Sequence, residues 1–197
     1  MGGEKMTMSE EEAQGVRILA RETLSKGHYR LEKVTYTQGG ERQEREVYHN
    51  RTGAAVLPLD PTRGTVLLVR QLRIPALVNG DGPMLVEACA GVVEEGDDPA
   101  ATAEREAGEE LGCRLRALRR VFTLYPSPGA CAERLHLFTA EYRPEDRTGG
   151  GGGLAEEGER IEVLELPLAE AWAMAEAGGI IDAKTILLLQ HLRLGAA

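Results

Sequence analysis

One stretch constrains the fold more than any other: Asp98-Pro99-Ala100-Ala101-Thr102-Ala103-Glu104-Arg105-Glu106-Ala107-Gly108-Glu109-Glu110-Leu111-Gly112. It is bounded like a helix. Asp98 is an N-cap candidate, Pro99 suits the first helical position, and Gly112 suits the C-terminal cap. Ala100, Ala103, Ala107 and Leu111 fall on one face by the three-and-four rule, and their small size lets the helix lie close to a sheet. Glu106 is i,i+3 from Glu109 and i,i+4 from Glu110, which makes them surface neighbours about 5–6 Å apart at Cβ. Such like-charge pairs cost a few tenths of a kcal/mol each. Gly108 in the interior costs about 1 kcal/mol more than Ala would. Arg105 sits i,i+4 from Glu109 and is placed to pin that carboxylate. A helix carrying this pattern either shows a solvated acidic face or converges hard oxygen ligands on Mg²⁺ or Mn²⁺. Charge alone leaves both readings open.

The flanking sequence predicts short strands. Between 16 and 50 the pattern suggests an antiparallel extension, with residues 29–36 alternating and Gln38-Gly39-Gly40-Glu41 as a hairpin turn. Residues 1–14 read as a loose or helical lead-in. Strands are expected at 54–59, 65–69, 84–88, 91–93, 121–125, 135–142 and 161–166, and helices at about 99–111, 168–177 and 183–193. The glycine run 149–153 lacks the Lys-Ser/Thr of a P-loop and reads as a flexible loop. This order predicts an α+β chain in which a mixed β-sheet is sandwiched between helices (α/β/α). It divides into an N-terminal part at 1–50 and a main domain at 51–197.

Hydrophobic residues make up 42% of the chain and charged residues 28%, the balance of a soluble globular protein. A net charge of −9 argues against nucleic-acid binding, which needs a basic stripe. It also sets a puzzle for any phosphate substrate, which a divalent cation would resolve. Cys89, Cys113 and Cys131 are odd in number and form no CxxC, which fits free thiols in a reducing cytoplasm. The four scattered histidines give no zinc spacing. No apolar run suits a membrane span, and the polar, acidic start has no secretory h-region.

The helix also completes a longer pattern. Gly91, five residues, Asp97, seven residues, then Arg105-Glu106-Ala107-Gly108-Glu109-Glu110-Leu111-Gly112-Cys113 resembles the Nudix box. The pattern departs once, with the shorter Asp97 where that family has Glu, and no direct catalytic role is assigned there. The resemblance implies the Nudix fold and a hydrolase of diphosphate bonds. It implies that Glu106 and Glu110 are the main ligands of Mg²⁺, with Mn²⁺ a possible substitute, and that the Ala90 carbonyl is a further ligand. Glu109 becomes an additional ligand or holder of metal-bound water, and Arg105 orients the carboxylates. Similar enzymes draw a base or extra metal ligand from a glutamate outside the box. Among Glu156, Glu157 and Glu159 of the acidic loop, counting back from residues 161–167 selects Glu159.

Two branches of the family compete for the substrate. Leu124-Tyr125-Pro126-Ser127-Pro128-Gly129 resembles a loop of ADP-ribose pyrophosphatases, with Pro128 fifteen residues after Cys113. Longer stretches are similar to bacterial GDP-mannose pyrophosphatases: Arg45-Glu46-Val47-Tyr48, Val69-Arg70-Gln71-Leu72-Arg73, Val78-Asn79-Gly80, Glu87-Ala88-Cys89-Ala90-Gly91 and Asp182-Ala183-Lys184-Thr185. That resemblance implies cleavage of GDP-mannose to GMP and mannose 1-phosphate. It also implies a homodimer whose N-terminal strands reach the partner's site. It marks Tyr29, Glu44, Arg45, Glu46, Arg73, Glu133 and Lys184 as substrate contacts. Arg73 could clamp a phosphate bidentately. Lys184 heads a helix, where a cation opposes the dipole, so a phosphate or loop-glutamate partner is expected for it. A non-catalytic sensor of nucleotide sugars is the alternative of another class; such a protein would be expected to lose box acids, and none is lost here.

Overall fold

The computed structural model describes residues 15–154, 158 and 160–195, so the expected lead-in at 1–14 and Glu156, Glu157 and Glu159 lie outside the described residues. The chain forms two compact units, one of residues up to 50 with 127–133 and one of 51–126 with the residues from 134 on.

The first unit is a three-stranded antiparallel sheet of β1 (Val16–Lys26), β2 (Arg30–Gln38) and β3 (Glu41–His49), in sequence order. Gly39 and Gly40 have φ of 60° and 85°, so both central residues of the β2–β3 turn take the left-handed conformation that suits the strand twist. Burial along β2 does not follow simple alternation, because Glu32 and Thr35 are the buried residues. Glu32 is balanced by Arg30 at 3.2 Å and Arg21 at 3.7 Å, and His49 Nε2 lies 2.7 Å from it. Past β3, residues 130–132 pair with Tyr48: its N–H donates to the Ala130 carbonyl, and the Ala132 N–H donates to its own carbonyl.

The second unit holds β4 (Gly53–Asp60), β5 (Thr65–Leu72), α1 (Ile74–Val78), β6 (Met84–Glu87), β7 (Cys89–Val92), α2 (Pro99–Glu110), β8 (Arg116–Leu124), β9 (Leu135–Glu141), β10 (Glu162–Pro167), α3 (Leu168–Glu176) and α4 (Ala183–Gly195). The sheet runs β10-β5-β4-β9-β8 and is mixed, since β4 and β9 are parallel and the other pairs antiparallel. β4 and β5 pair only near their shared turn, at Leu59–Val66 and Asp60–Thr65. Where they part, one segment fills the gap: β6 continues along β5 and β7 along β4, with Ala88 between them.

β4 reads as continuously apolar because both its faces are covered. Ala54 and Val56 pack with Ala103, Ala107 and Leu111 of α2 and its end, while Ala55 and Leu57 pack with Ala171 of α3 and Leu188 and Leu189 of α4. Each buried Leu or Val contributes roughly 1.5–3 kcal/mol, so the two layers fix the height of α2 over the sheet. The expected α/β/α order is the one observed. The five-residue α1, with Pro75 in its first turn, had no periodic signature to announce it.

The glycine run departs from expectation. Rather than a loose loop, residues 149–153 lie against the end of α2, where Gly152 N–H donates to the Glu110 carbonyl at 2.9 Å and Gly153 N–H to the Glu109 carbonyl at 3.2 Å. A Cβ on Gly151 would stand 2.2 Å from the Glu110 carbonyl oxygen, so only glycine admits this approach. These bonds satisfy carbonyls that a helix end otherwise leaves open.

Candidate active site

The site is built on α2 and the strand beneath it. Asp98 caps the helix as expected, its side chain accepting the Ala100 N–H at 3.0 Å. Gly112, at φ +59°, turns the chain out, and the Cys113 N–H folds back to the Ala107 carbonyl. The apolar stripe faces the sheet, and this rotates the carboxylates toward β7. Glu106 and Glu110 are therefore buried, 8% and 2% exposed, while Glu109 is half-buried at the rim.

Both buried carboxylates approach the adjacent residues Ala90 and Gly91 of β7. Glu110 Oε2 accepts the Ala90 N–H at 3.1 Å. The Glu106 carboxylate occupies the space a side chain on residue 91 would need: a Cβ there would lie 1.8 Å from Glu106 Oε1. This is the physical reason that the pattern opens with glycine. Arg105 reaches Glu106 at 2.7 Å and Glu109 at 2.6 Å. Burial works against the Arg105 charge, but the two carboxylates outweigh it and raise its pKa. Among the described residues no three Asp, Glu, His or Cys side chains are gathered into a metal-holding group. Glu106 and Glu110 approach neighbouring residues of β7, and carboxylate oxygens are the hard donors that suit an oxygen-loving divalent cation.

A second cluster begins one residue before Ala88. Arg73 grips Glu87 with two parallel bonds, Nε to Oε1 at 2.7 Å and Nη2 to Oε2 at 2.9 Å. Lys184 Nζ donates to the same Glu87 Oε2 at 2.7 Å and lies 3.0 Å from Asp182. Within the protein Lys184 pairs with Glu87 and Asp182 rather than with a loop glutamate, and the Nε edge of Arg73 is turned to Glu87. Burial pushes the Glu87 carboxyl up, yet its bonds and charges to Arg73 and Lys184 prevail and hold it below the usual carboxylate range. No spacing or periodicity in the sequence assigns Glu87 or Asp182 a role, since Lys184, which joins them, lies far from Glu87 along the chain.

In the first unit Tyr29 stacks obliquely on Tyr48, ring centres 5.0 Å apart. Burial pushes the Tyr48 hydroxyl pKa up, aided by Tyr29, Cys131 and Glu133, which places Glu133 in the same neighbourhood. Tyr48 is the residue that joins these two predicted positions. Glu44, Arg45 and Glu46 are exposed on β3; Thr35 Oγ1 lies at 3.5 Å from Glu44, and Arg45 bonds the Glu44 carbonyl.

The NUDIX domain family model matches residues 49–189, spanning the entire Gly91–Cys113 pattern. The chain belongs to the Nudix family. This Nudix chain is 46% identical over 186 residues to a GDP-mannose pyrophosphatase of Cronobacter sakazakii, covering 91% of this chain and 95% of that one. It is 42% identical over 189 residues to a GDP-mannose pyrophosphatase of Salmonella arizonae, covering 92% and 97%. Among solved structures, a crystal structure of an ADP compounds hydrolase shares the fold at a TM-score of 0.72, with 21% identity over 90% of this chain and 92% of that one. Among the described residues no helix is long and apolar enough to cross a membrane.

Proposed function

We propose that this Nudix hydrolase cuts the diphosphate bond of a nucleoside diphosphate sugar, GDP-mannose, giving GMP and mannose 1-phosphate with Mg²⁺ as cofactor. The observation that carries the reading is the approach of Glu106 and Glu110 to Ala90 and Gly91 in a chain matching GDP-mannose pyrophosphatases over nearly its whole length. When bound, the divalent cation neutralises diphosphate oxygens and lowers the pKa of a water molecule. Mn²⁺ is a possible substitute.

Glu106, Glu110 and the Ala90 carbonyl are the proposed ligands. Arg105 keeps the Glu106 and Glu109 side chains in fixed orientations, and Glu109 holds a water. Glu159 accepts the proton of the attacking water, or serves as a further ligand. Arg73 and Lys184 meet the diphosphate. Tyr29, Glu133 and the stretch Glu44-Arg45-Glu46 contact the base or sugar. Residues 1–50 serve dimerisation, a reading supported by the exposed Ile18, Leu19 and Leu24 of β1, so the working form is a homodimer. Three free cysteines fit a cytoplasmic enzyme.

The test is a panel of GDP-mannose, ADP-ribose, ADP-glucose and GDP-glucose with Mg²⁺, read as kcat/KM with identification of products. The expected result is a clear preference for GDP-mannose, releasing GMP. A preference for ADP-ribose would move the chain to the other branch that its Ser127-Pro128-Gly129 loop resembles. Binding without turnover would make it a sensor.

A further inference from the structure

Glu87 closes β6 with 2% of its surface exposed. A carboxylate taken out of water this far is costly unless matched in charge and geometry. It is matched twice, by the Arg73 fork from the end of β5 and by Lys184 from the first turn of α4. Neither cation is where a solvated cation would settle. Lys184 sits at a helix N-terminus, against the dipole, with its side chain only 11% exposed. Arg73 keeps 39% of its side chain accessible while its Nε edge is committed to Glu87. Two like charges repel when set side by side, and the carboxylate between them lets them share one spot.

The same cluster is tied to the strand below the acidic helix. Asp182 accepts the Thr185 N–H at 3.0 Å and the Thr185 hydroxyl proton, which orients that hydroxyl oxygen to accept the Ala88 N–H at 2.7 Å. Ala88 is the residue that leaves the ladder between β6 and β7, two positions before Ala90. Hydrogen bonds and the Lys184–Asp182 ion pair therefore join Arg73, Glu87, Lys184, Asp182 and Thr185 to the segment that Glu106 and Glu110 approach.

We propose that Glu87 is a positioning residue, holding Arg73 and Lys184 together as a preformed cation pair for the substrate diphosphate, in fixed register with the Ala90–Gly91 segment. This rests on the reading that Arg73 and Lys184 meet substrate. Glu87 itself touches neither substrate nor the reacting atoms. Its contribution is preorganisation: a cation pair already in place spends less of the binding energy on ordering two long side chains.

The experiment is a cycle of E87Q, K184M and the double variant, with R73K and E87D beside it, assayed with GDP-mannose and Mg²⁺ and each melted for Tm. Glu87→Gln keeps the size and removes the charge. The expected result is a KM raised ten-fold or more with kcat within three-fold. Glu87→Asp, which keeps the charge, should raise KM less. In the K184M background the E87Q effect on KM should shrink, because the part that acts through Lys184 is already lost and only the part through Arg73 remains. If E87Q fails to fold, E87D and E87D/K184M carry the same comparison. A lowered Tm with KM unchanged, or KM penalties that multiply independently in the double variant, would overturn the proposal. If K184M and R73K themselves leave KM unchanged, the assignment of these cations to substrate falls first and the positioning role with it. If they raise KM and neither Glu87 variant does, only the positioning role falls.

Discussion

Replacing Gly91 by alanine strikes the point where two sequence-distant parts of the site touch. The added Cβ would stand 1.8 Å from Glu106 Oε1, 2.0 Å from Cδ and 2.4 Å from Cγ, whereas ordinary contact begins at 3.4 Å. The backbone of β7 cannot retreat, because residues 89–92 are paired with 53–56 of β4. The Glu106 side chain must therefore swing away by more than an ångström. A side chain that can turn keeps the folding penalty low, about 1 kcal/mol in the range of 1–3 typical of overpacked sites. The catalytic penalty is larger, since a displacement of about 1 Å in a positioned group can cost roughly 100-fold in rate. That corresponds to about 2.7 kcal/mol on the barrier. The assay is kcat at saturating GDP-mannose across a Mg²⁺ titration, with a thermal melt of the same preparation. G91A should lose at least 100-fold in kcat and need more Mg²⁺ for half-saturation, while its Tm falls only by a few degrees. A variant within three-fold of the parent, with an unchanged Mg²⁺ midpoint, would show that the place of the Glu106 carboxylate against Gly91 does not matter for turnover.

Two further outcomes follow from the same geometry. Gly151→Ala should destabilise the protein by at least about 2 kcal/mol and cut turnover, because its Cβ meets the Glu110 carbonyl at 2.2 Å from a backbone at φ +65°. Gly149→Ala, with nothing within 4 Å, should stay within about 0.5 kcal/mol, and equal melts for the two would remove the docking role of the glycine run. The depressed Glu87 carboxyl sets a pH dependence. Its stabilising contribution is fully present above the ordinary carboxyl pKa of about 4.3 and is lost as pH falls through the lower folded value. Denaturant melts should show stability dropping below about pH 4.5, with a shallower drop in E87Q, since that group is then absent; an identical pH profile would contradict this.

The local code of α2 was legible. Asp98, Pro99 and Gly112 mark its ends, and its alanine stripe turns Glu106 and Glu110 inward. The Gly39-Gly40 turn was equally plain, since both positions need positive φ. What sequence could not give was set by long-range closure. Lys184 and Glu87 are separated by 97 positions, and no periodicity links them. The glycine run looks structureless until the carbonyls of Glu109 and Glu110 are brought to it, and then the missing Cβ atoms become the reason it fits. The burial of Glu32 is long-range in the same way, since Arg21 and His49, which flank it with Arg30, come from other strands.

Metal binding by the two buried carboxylates can be measured without any substrate. A Mn²⁺ titration followed by the loss of the free-ion EPR signal, run on the parent and on Glu110→Gln, isolates that step. The isosteric amide can still accept the Ala90 N–H, so the fold should persist with Tm nearly unchanged. The parent should bind Mn²⁺ tightly and the variant at least ten-fold more weakly. Identical titration curves for the two proteins would show that the cation is held elsewhere.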